Sequence, residues 1–136
     1  MTPVAELTDT FAVAGQIQPS DVAEFARQGY QVLICNRPDN EEMNQPSMDT
    51  IEAACGAAGI TLVRYPVTAM SFPGDDLAAM EDAMSGDVKT LAYCRSGARS
   101  ANLGVATLSG DQRTAAAHRA QQFGIPLTFV MQLGFS

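Results

Sequence analysis

Cys94-Arg95-Ser96-Gly97-Ala98-Arg99-Ser100 gathers a cysteine, two arginines, a glycine and two serines directly behind the apolar run Thr90 to Tyr93. A strand that runs through a short loop into a helix makes an anion cradle, because the N–H groups of the loop and of the helix start converge on one point. Gly97 permits a tight loop and close backbone approach. Arg99 offers a planar fork for an oxyanion, and Arg95, Ser96 and Ala98 complete the ring of donors around it. Positive surroundings of this kind favour a thiolate nucleophile, here Cys94. Ser100 can cap the following helix, or hydrogen-bond the sulfur and steady it as a leaving group. The chemistry implied is attack on a small tetrahedral oxyanion group. Two of the chain's 8 basic residues sit in this loop.

The rest of the chain must hold that loop in place. Phe11 to Ala14 reads as a short strand, and Ser20 or Asp21 can cap a helix with Val22, Phe25 and Ala26 on one face and Gly29 as its C′ residue. Tyr30 to Asn36 is apolar enough for a strand buried on both faces. After a polar loop from Arg37 to Pro46, Ser47 caps a helix whose Ile51, Ala54, Cys55 and Ala58 share a face and which Gly59 ends. Ile60 to Val67 is the next strand and Pro73 to Ser85 a helix with Leu77, Met80 and Met84 inward. Thr90 to Tyr93 is a fourth strand, and Ser100 to Leu108 and Asp111 to Phe123 are further helices. Ile125 to Ser136 fits either a strand or a packed tail. Strands separated by helices imply βαβ crossovers, so the expected fold is a single α/β domain over residues 1–136, with a mainly parallel sheet of four to five strands flanked by helices. Ligands in such sheets sit beyond the carboxyl ends of the strands, which here means Arg37 onward, Val67 onward and Cys94 onward.

Composition narrows the partners. The 136 residues carry 8 Lys+Arg against 15 Asp+Glu, a net charge of −7, with 46% hydrophobic residues. The length suits one domain with its own core. The acidic balance argues against nucleic acid and against anionic membrane surfaces, and leaves a small anionic substrate or phosphorylated molecule as the expected partner. Met1 to Thr10 has neither the basic region nor the apolar core of a secretory signal. Cys35, Cys55 and Cys94 are widely spaced, which suits a reducing cytoplasm better than a disulfide framework or a zinc site; no metal or cofactor is expected. Cys35 and Cys55 read as inert packing thiols, His118 as a surface residue, and Met70, Met80 and Met84 as core or pocket wall.

Several motifs in order carry a resemblance: Val13-Ala14-Gly15-Gln16, Asn36-Arg37-Pro38-Asp39-Asn40-Glu41-Glu42, Gln45-Pro46-Ser47, Tyr65-Pro66-Val67 and Tyr93-Cys94-Arg95-Ser96-Gly97-Ala98-Arg99-Ser100. Together they resemble the beta-lactamase-hydrolase-like phosphatase domain family, of protein-tyrosine-phosphatase-like fold. The resemblance implies a cysteine-dependent phosphatase: Cys94 attacks phosphorus, Arg95 to Arg99 bind the equatorial oxygens, and water releases phosphate from the thiophosphate intermediate.

Three departures keep alternatives in play. Only Arg95, Ser96, Gly97 and Ala98 separate cysteine and arginine, one residue fewer than is usual among phosphatases of the superfamily and the length found in rhodaneses. Tyr93 stands where such phosphatases commonly have His. The loop Thr68-Ala69-Met70-Ser71 has no carboxylate to serve as general acid. Asp39 is the candidate acid instead, with a turn role after Pro38 as its plainer alternative. Arg37 either lines the pocket beside Arg99 or pairs with Asp39, Glu41 and Glu42, a run that otherwise reads as a solvated loop. The alternatives are a rhodanese-like sulfurtransferase forming a Cys94 persulfide, and a non-catalytic module that binds anions or senses persulfide.

Overall fold

The computed structural model describes residues 2–132. Five strands form one sheet in the order β1-β2-β5-β3-β4: β1 Val4–Glu6, β2 Phe11–Ala14, β3 Tyr30–Cys35, β4 Thr61–Arg64 and β5 Lys89–Tyr93. Only β1 runs antiparallel to its neighbour. Among the described residues there are six α-helices: α1 Val22–Arg27, α2 Met48–Ala58, α3 Leu77–Met84, α4 Ala98–Thr107, α5 Gly110–Gln122 and α6 Thr128–Gln132.

Two hydrophobic layers sandwich the sheet. On one face Ile17, Val22, Phe25, Ile51 and Cys55 pack against Leu33, Leu91 and Tyr93. On the other, Met80, Leu103, Val105, Ala116, Ala120 and Val130 pack against Val13, Ile34 and Ala92. Alternation along β5 decides the split: Leu91 and Tyr93 face α1 and α2, and Ala92 faces α3 to α6. A small residue on the second face lets α4 come close, and Gly104 adds to this by leaving room for the Phe11 ring.

Local signals explain most element ends. Ser47 Oγ accepts the Thr50 N–H at 3.1 Å to cap α2, and Gly59 closes that helix at φ 78°. Asp21 instead caps backwards, accepting the Gln18 N–H at 2.9 Å over a 3₁₀ turn at Pro19–Asp21. β4 is shorter than the expected Ile60 to Val67. Pro66 has no N–H to give, although Tyr65 and Val67 on either side still donate to Cys35 O and Asn36 O at 2.9 and 3.1 Å. α3 begins at Leu77 rather than Pro73, since Gly74 turns the chain at φ 90° and Tyr65 Oη holds Pro73 O at 2.7 Å. Met70, expected in the core or the pocket wall, is 98% exposed on this turn, whereas Met80 is fully buried.

Two elements were not anticipated. β1 is a three-residue edge strand, too short for a periodic signal. The tail forms α6, drawn in by buried Asn102, whose Nδ2 donates to Pro126 O at 2.9 Å while its Oδ1 accepts the Val130 N–H at 2.9 Å. Residues 133–136 of the ambiguous segment lie outside the described residues. Among the described residues no helix is long and apolar enough to cross a membrane, and no group of His, Cys, Asp or Glu is arranged to hold a metal.

Candidate active site at the carboxyl end of the sheet

Cys94 follows β5, the central strand, and is fully buried. Its sulfur accepts the Gly97 N–H at 3.1 Å, so the loop curls back over the strand end. Gly97 makes the curl at φ 94°, a left-handed conformation that costs an L side chain strain. A Cβ there would lie in contact with the Ala14 carbonyl at 3.4 Å, and one at Gly15 would crowd Arg95 O at 3.1 Å. β2 and the loop therefore abut backbone to backbone. Cys94 N donates to Ala14 O at 3.3 Å and Gln16 N to Arg95 O at 3.2 Å. These bonds occupy the Arg95 carbonyl on the β2 side.

α4 starts at Ala98 with Gly97 at its N-cap, two residues before the expected start. Ser100 thus lies inside the first turn and cannot be the cap. Its Oγ is buried and has no hydrogen-bond partner in this state. Arg99, on the same turn, reaches across to two other loops. Its Nη1 donates to Val67 O at 2.7 Å, and Nη1 and Nη2 grip Glu41 Oε2 and Oε1 at 2.9 and 2.8 Å. Burial works against the Arg99 charge, but Glu41 and Cys94 outweigh it and hold the guanidinium more firmly protonated. A guanidinium has two forked edges. Glu41 takes the Nη1/Nη2 edge, and the Arg99 side chain also interacts with Cys94.

Residues 40–44 are exposed, as expected of a solvated loop, but within the stretch from Arg37 to Pro46 the charges of Arg37, Glu41 and Glu42 are paired among themselves. Arg37 is 2% exposed, and each of its nitrogens is engaged: Nε to Glu41 Oε1 at 2.8 Å, Nη1 to Gln16 Oε1 at 2.9 Å and Nη2 to Glu42 Oε1 at 2.6 Å. Glu42 also meets Arg95 Nε at 3.1 Å. Gln45 ties the loop from within, accepting the N–H groups of Glu41 and Glu42 and donating to Pro38 O at 2.9 Å. Asn40 and Asn44 turn the chain at φ 66° and 67°. Of the two roles expected for Arg37, carboxylate pairing is the one its nitrogens fulfil.

A cavity of about 470 Å³ opens above the cysteine loop, lined by Glu41, Ala69, Arg95, Ser96, Ala98, Arg99 and Phe129. Asp39 is not among these residues. Its Oδ1 accepts the N–H of Met48, the first residue of α2, at 2.9 Å. The expected acid over the pocket is thus a helix-capping carboxylate, and Glu41 holds the place by the arginine. Hydrogen bonds from Arg99 keep the Glu41 carboxyl below its ordinary range, reinforced by those from Arg37.

No spacing rule links Glu41 to Arg99, because 58 residues separate them and the pair exists only across the fold. Gln16 was likewise hidden, in a motif that resemblance had marked but to which no role attached. Tyr93 is fully turned into the α1/α2 layer, where burial pushes its phenol pKa up beside Cys35. Burial also raises the Cys35 thiol, and that of Cys55 to about 11, in keeping with packing roles.

Comparison with known proteins agrees with this architecture. The model of the phosphatase-like domain of beta-lactamase hydrolase-like proteins matches residues 4–110. Beta-lactamase hydrolase-like proteins of Xylella fastidiosa and Agrobacterium fabrum are 34% and 30% identical over 97 and 98 residues, 71% of this chain in each case. The chain spans only 22% and 23% of the length of these curated relatives. A candidate phosphatase of Neisseria meningitidis superposes with a TM-score of 0.77 at 29% identity, over 95% of this chain and 94% of that one. Tk-PTP in its active form shares the fold, with a TM-score of 0.68 at 20% identity over 95% and 91% of the two chains. With a family match across most of its length and a protein-tyrosine-phosphatase-like fold, the chain belongs to the phosphatase-like domain family of the beta-lactamase hydrolase-like proteins.

Proposed function

We propose that this domain is a cysteine-dependent phosphatase that hydrolyses a phosphate monoester through a phosphorylated Cys94. The observation that carries the reading is the Cys94 sulfur at the end of β5, held under the Gly97 N–H at the mouth of α4 with Arg99 beside it. Sulfur attacks phosphorus in line, and the bond to the ester oxygen breaks. Catalysis of such a transfer consists mostly of positioning and of charge stabilisation. The N–H groups from Arg95 to Arg99 and the Nε/Nη2 edge of Arg99, drawn in part from Glu41, receive the equatorial oxygens. The Ser100 hydroxyl, without a partner at rest, is assigned to the sulfur as it departs in the second step.

The leaving oxygen needs a proton unless it belongs to a stable phenolate. Ionised Glu41 cannot supply one, so activity should favour aryl esters and fall steeply as the leaving group's pKa rises. Intact mass measurement during turnover of p-nitrophenyl phosphate tests the reading. One phosphoryl group should appear on wild-type protein, and Cys94→Ser should carry none and lose roughly 10⁴-fold or more of the turnover. An unphosphorylated wild type, or an active Cys94→Ser, would sink it.

The loop length and the ionised Glu41 favour one second reading, sulfur transfer. There the Cys94 thiolate takes the outer sulfur of thiosulfate as a persulfide and expels sulfite, which leaves without a proton. The same mass measurement after thiosulfate would then show one added sulfur atom instead of a phosphoryl group.

A further inference from the structure

We propose that Glu41 is the general base of the second half-reaction, taking a proton from the water that hydrolyses phosphorylated Cys94. The step rests on the phosphatase reading above and assigns a residue within it. Among the described residues lining the cavity, Glu41 is the carboxylate, and it comes from a different loop than the cysteine. Cys94 is fully buried, the residues that follow it (Arg95, Ser96, Ala98 and Arg99) line the cavity, and the Arg99 side chain interacts with its sulfur, so a phosphoryl group on that sulfur is assigned to this cavity. In-line displacement brings water to the face of phosphorus away from sulfur, the face that looks into the remaining space. The Glu41 side chain is 25% exposed and is held at 2.8 Å by Arg37 Nε, a second anchor that keeps it on the cavity wall when a phosphoryl group draws on Arg99.

The charges fit the assignment. Two guanidinium groups hold the resting carboxyl ionised, which suits a base and disqualifies an acid. A dianionic phosphoryl group that draws on Arg99 weakens that hold and raises the affinity of Glu41 for a proton, toward what a base working at neutral pH needs. The step balances. Water oxygen bonds to phosphorus, the sulfur–phosphorus bond breaks, and its electron pair stays on sulfur as the Cys94 thiolate. One water proton passes to Glu41 and later to solvent, and hydrogen phosphate departs.

A base serves the second half-reaction alone. A residue that merely orients Arg99 serves both halves, because Arg99 binds phosphoryl oxygens in each. Rapid-quench kinetics with p-nitrophenyl phosphate on the full chain, with intact mass detection of phosphorylated Cys94, separates the two. Glu41→Gln should release its first equivalent of p-nitrophenolate near the wild-type rate, then turn over roughly 10²-fold more slowly with the intermediate accumulated. Its breakdown rate should lose the acidic limb of the pH profile. Glu41→Asp, which keeps the carboxylate and its pairing with the arginines, should retain that limb and part of the rate. Equal slowing of the burst and the steady state, with weaker vanadate binding, would overturn the proposal and leave Glu41 a positioning residue. A wild type that never forms the intermediate would overturn the phosphatase reading and this step with it.

Discussion

Two loops face each other across the cavity, and they are built on different principles. Residues 94–97 make their site from backbone: a glycine at φ 94°, a sulfur under an N–H group, and the Arg95 carbonyl turned to Gln16 just beyond β2. Residues 37–47 make theirs from side chains, with buried Arg37 as a hub for Glu41, Glu42 and Gln16. The backbone loop offers positive charge and the side-chain loop answers with carboxylates. A buried guanidinium is tolerated only when its donors are satisfied, and the second loop accomplishes this with partners from the loop itself and from β2's end. The contrast teaches that the cysteine loop and the carboxylates facing it come from separate stretches of chain, one set by backbone geometry and the other by side-chain pairing.

Arg99 is where the two loops join, and its removal should have the largest effect. Arg99→Ala should cost about 2.7–4 kcal/mol of transition-state stabilisation, read as the loss in kcat/KM for p-nitrophenyl phosphate. Arg99→Lys should not restore the rate, since a point charge cannot serve two forked edges. Full activity in the lysine variant would show that one edge suffices and that the loops are independent.

Acid should then pull the loops apart unequally. Arg99 holds the Glu41 carboxyl below its ordinary value of 4.5. Such a group stabilises the fold above the pKa of the unfolded chain, and that contribution is lost as pH falls through the lower folded value. Hydrogen exchange should therefore quicken in residues 40–46 once pH drops below 4.5, before it quickens in residues 94–99. Simultaneous loss of protection in both loops would contradict the division between them.

The smallest effect is expected of Asp39. Asp39→Asn removes a charge at the N-terminus of α2 and weakens a cap, at about 0.5–1 kcal/mol of stability by thermal unfolding. The leaving-group dependence of hydrolysis should not change. A selective loss on alkyl esters would return Asp39 to the reaction.

What could be read in advance follows the same division. Cys94, Gly97 and Arg99 announce themselves because a backbone-made cradle needs fixed residue types at fixed spacing, close in sequence. Ser47 and Gly59 were legible for the same local reason, as the ends of α2. The Glu41–Arg99 pair was not legible, being a through-space choice between carboxylates that look alike in sequence. Asp39 and Glu41 lie two positions apart, and only the turns at Asn40 and Asn44 decide which one meets the cavity. α6 was ambiguous because its docking depends on partners far back in the chain, the buried amide of Asn102, the ring of Phe72 and the core that receives Val130.

The contact between β2 and the cysteine loop has a consequence for assembly. Ala14 and Gln16 hydrogen-bond to Cys94 and Arg95 across roughly 80 residues of intervening chain. The pairing of β2 with β5 spans α1, β3, α2, β4 and α3 in sequence. Closing so long a loop is entropically costly and is compensated only when the whole sheet forms. Since the proposed anion site rests on that long-range contact, vanadate affinity should appear during refolding together with the β2–β5 pairing.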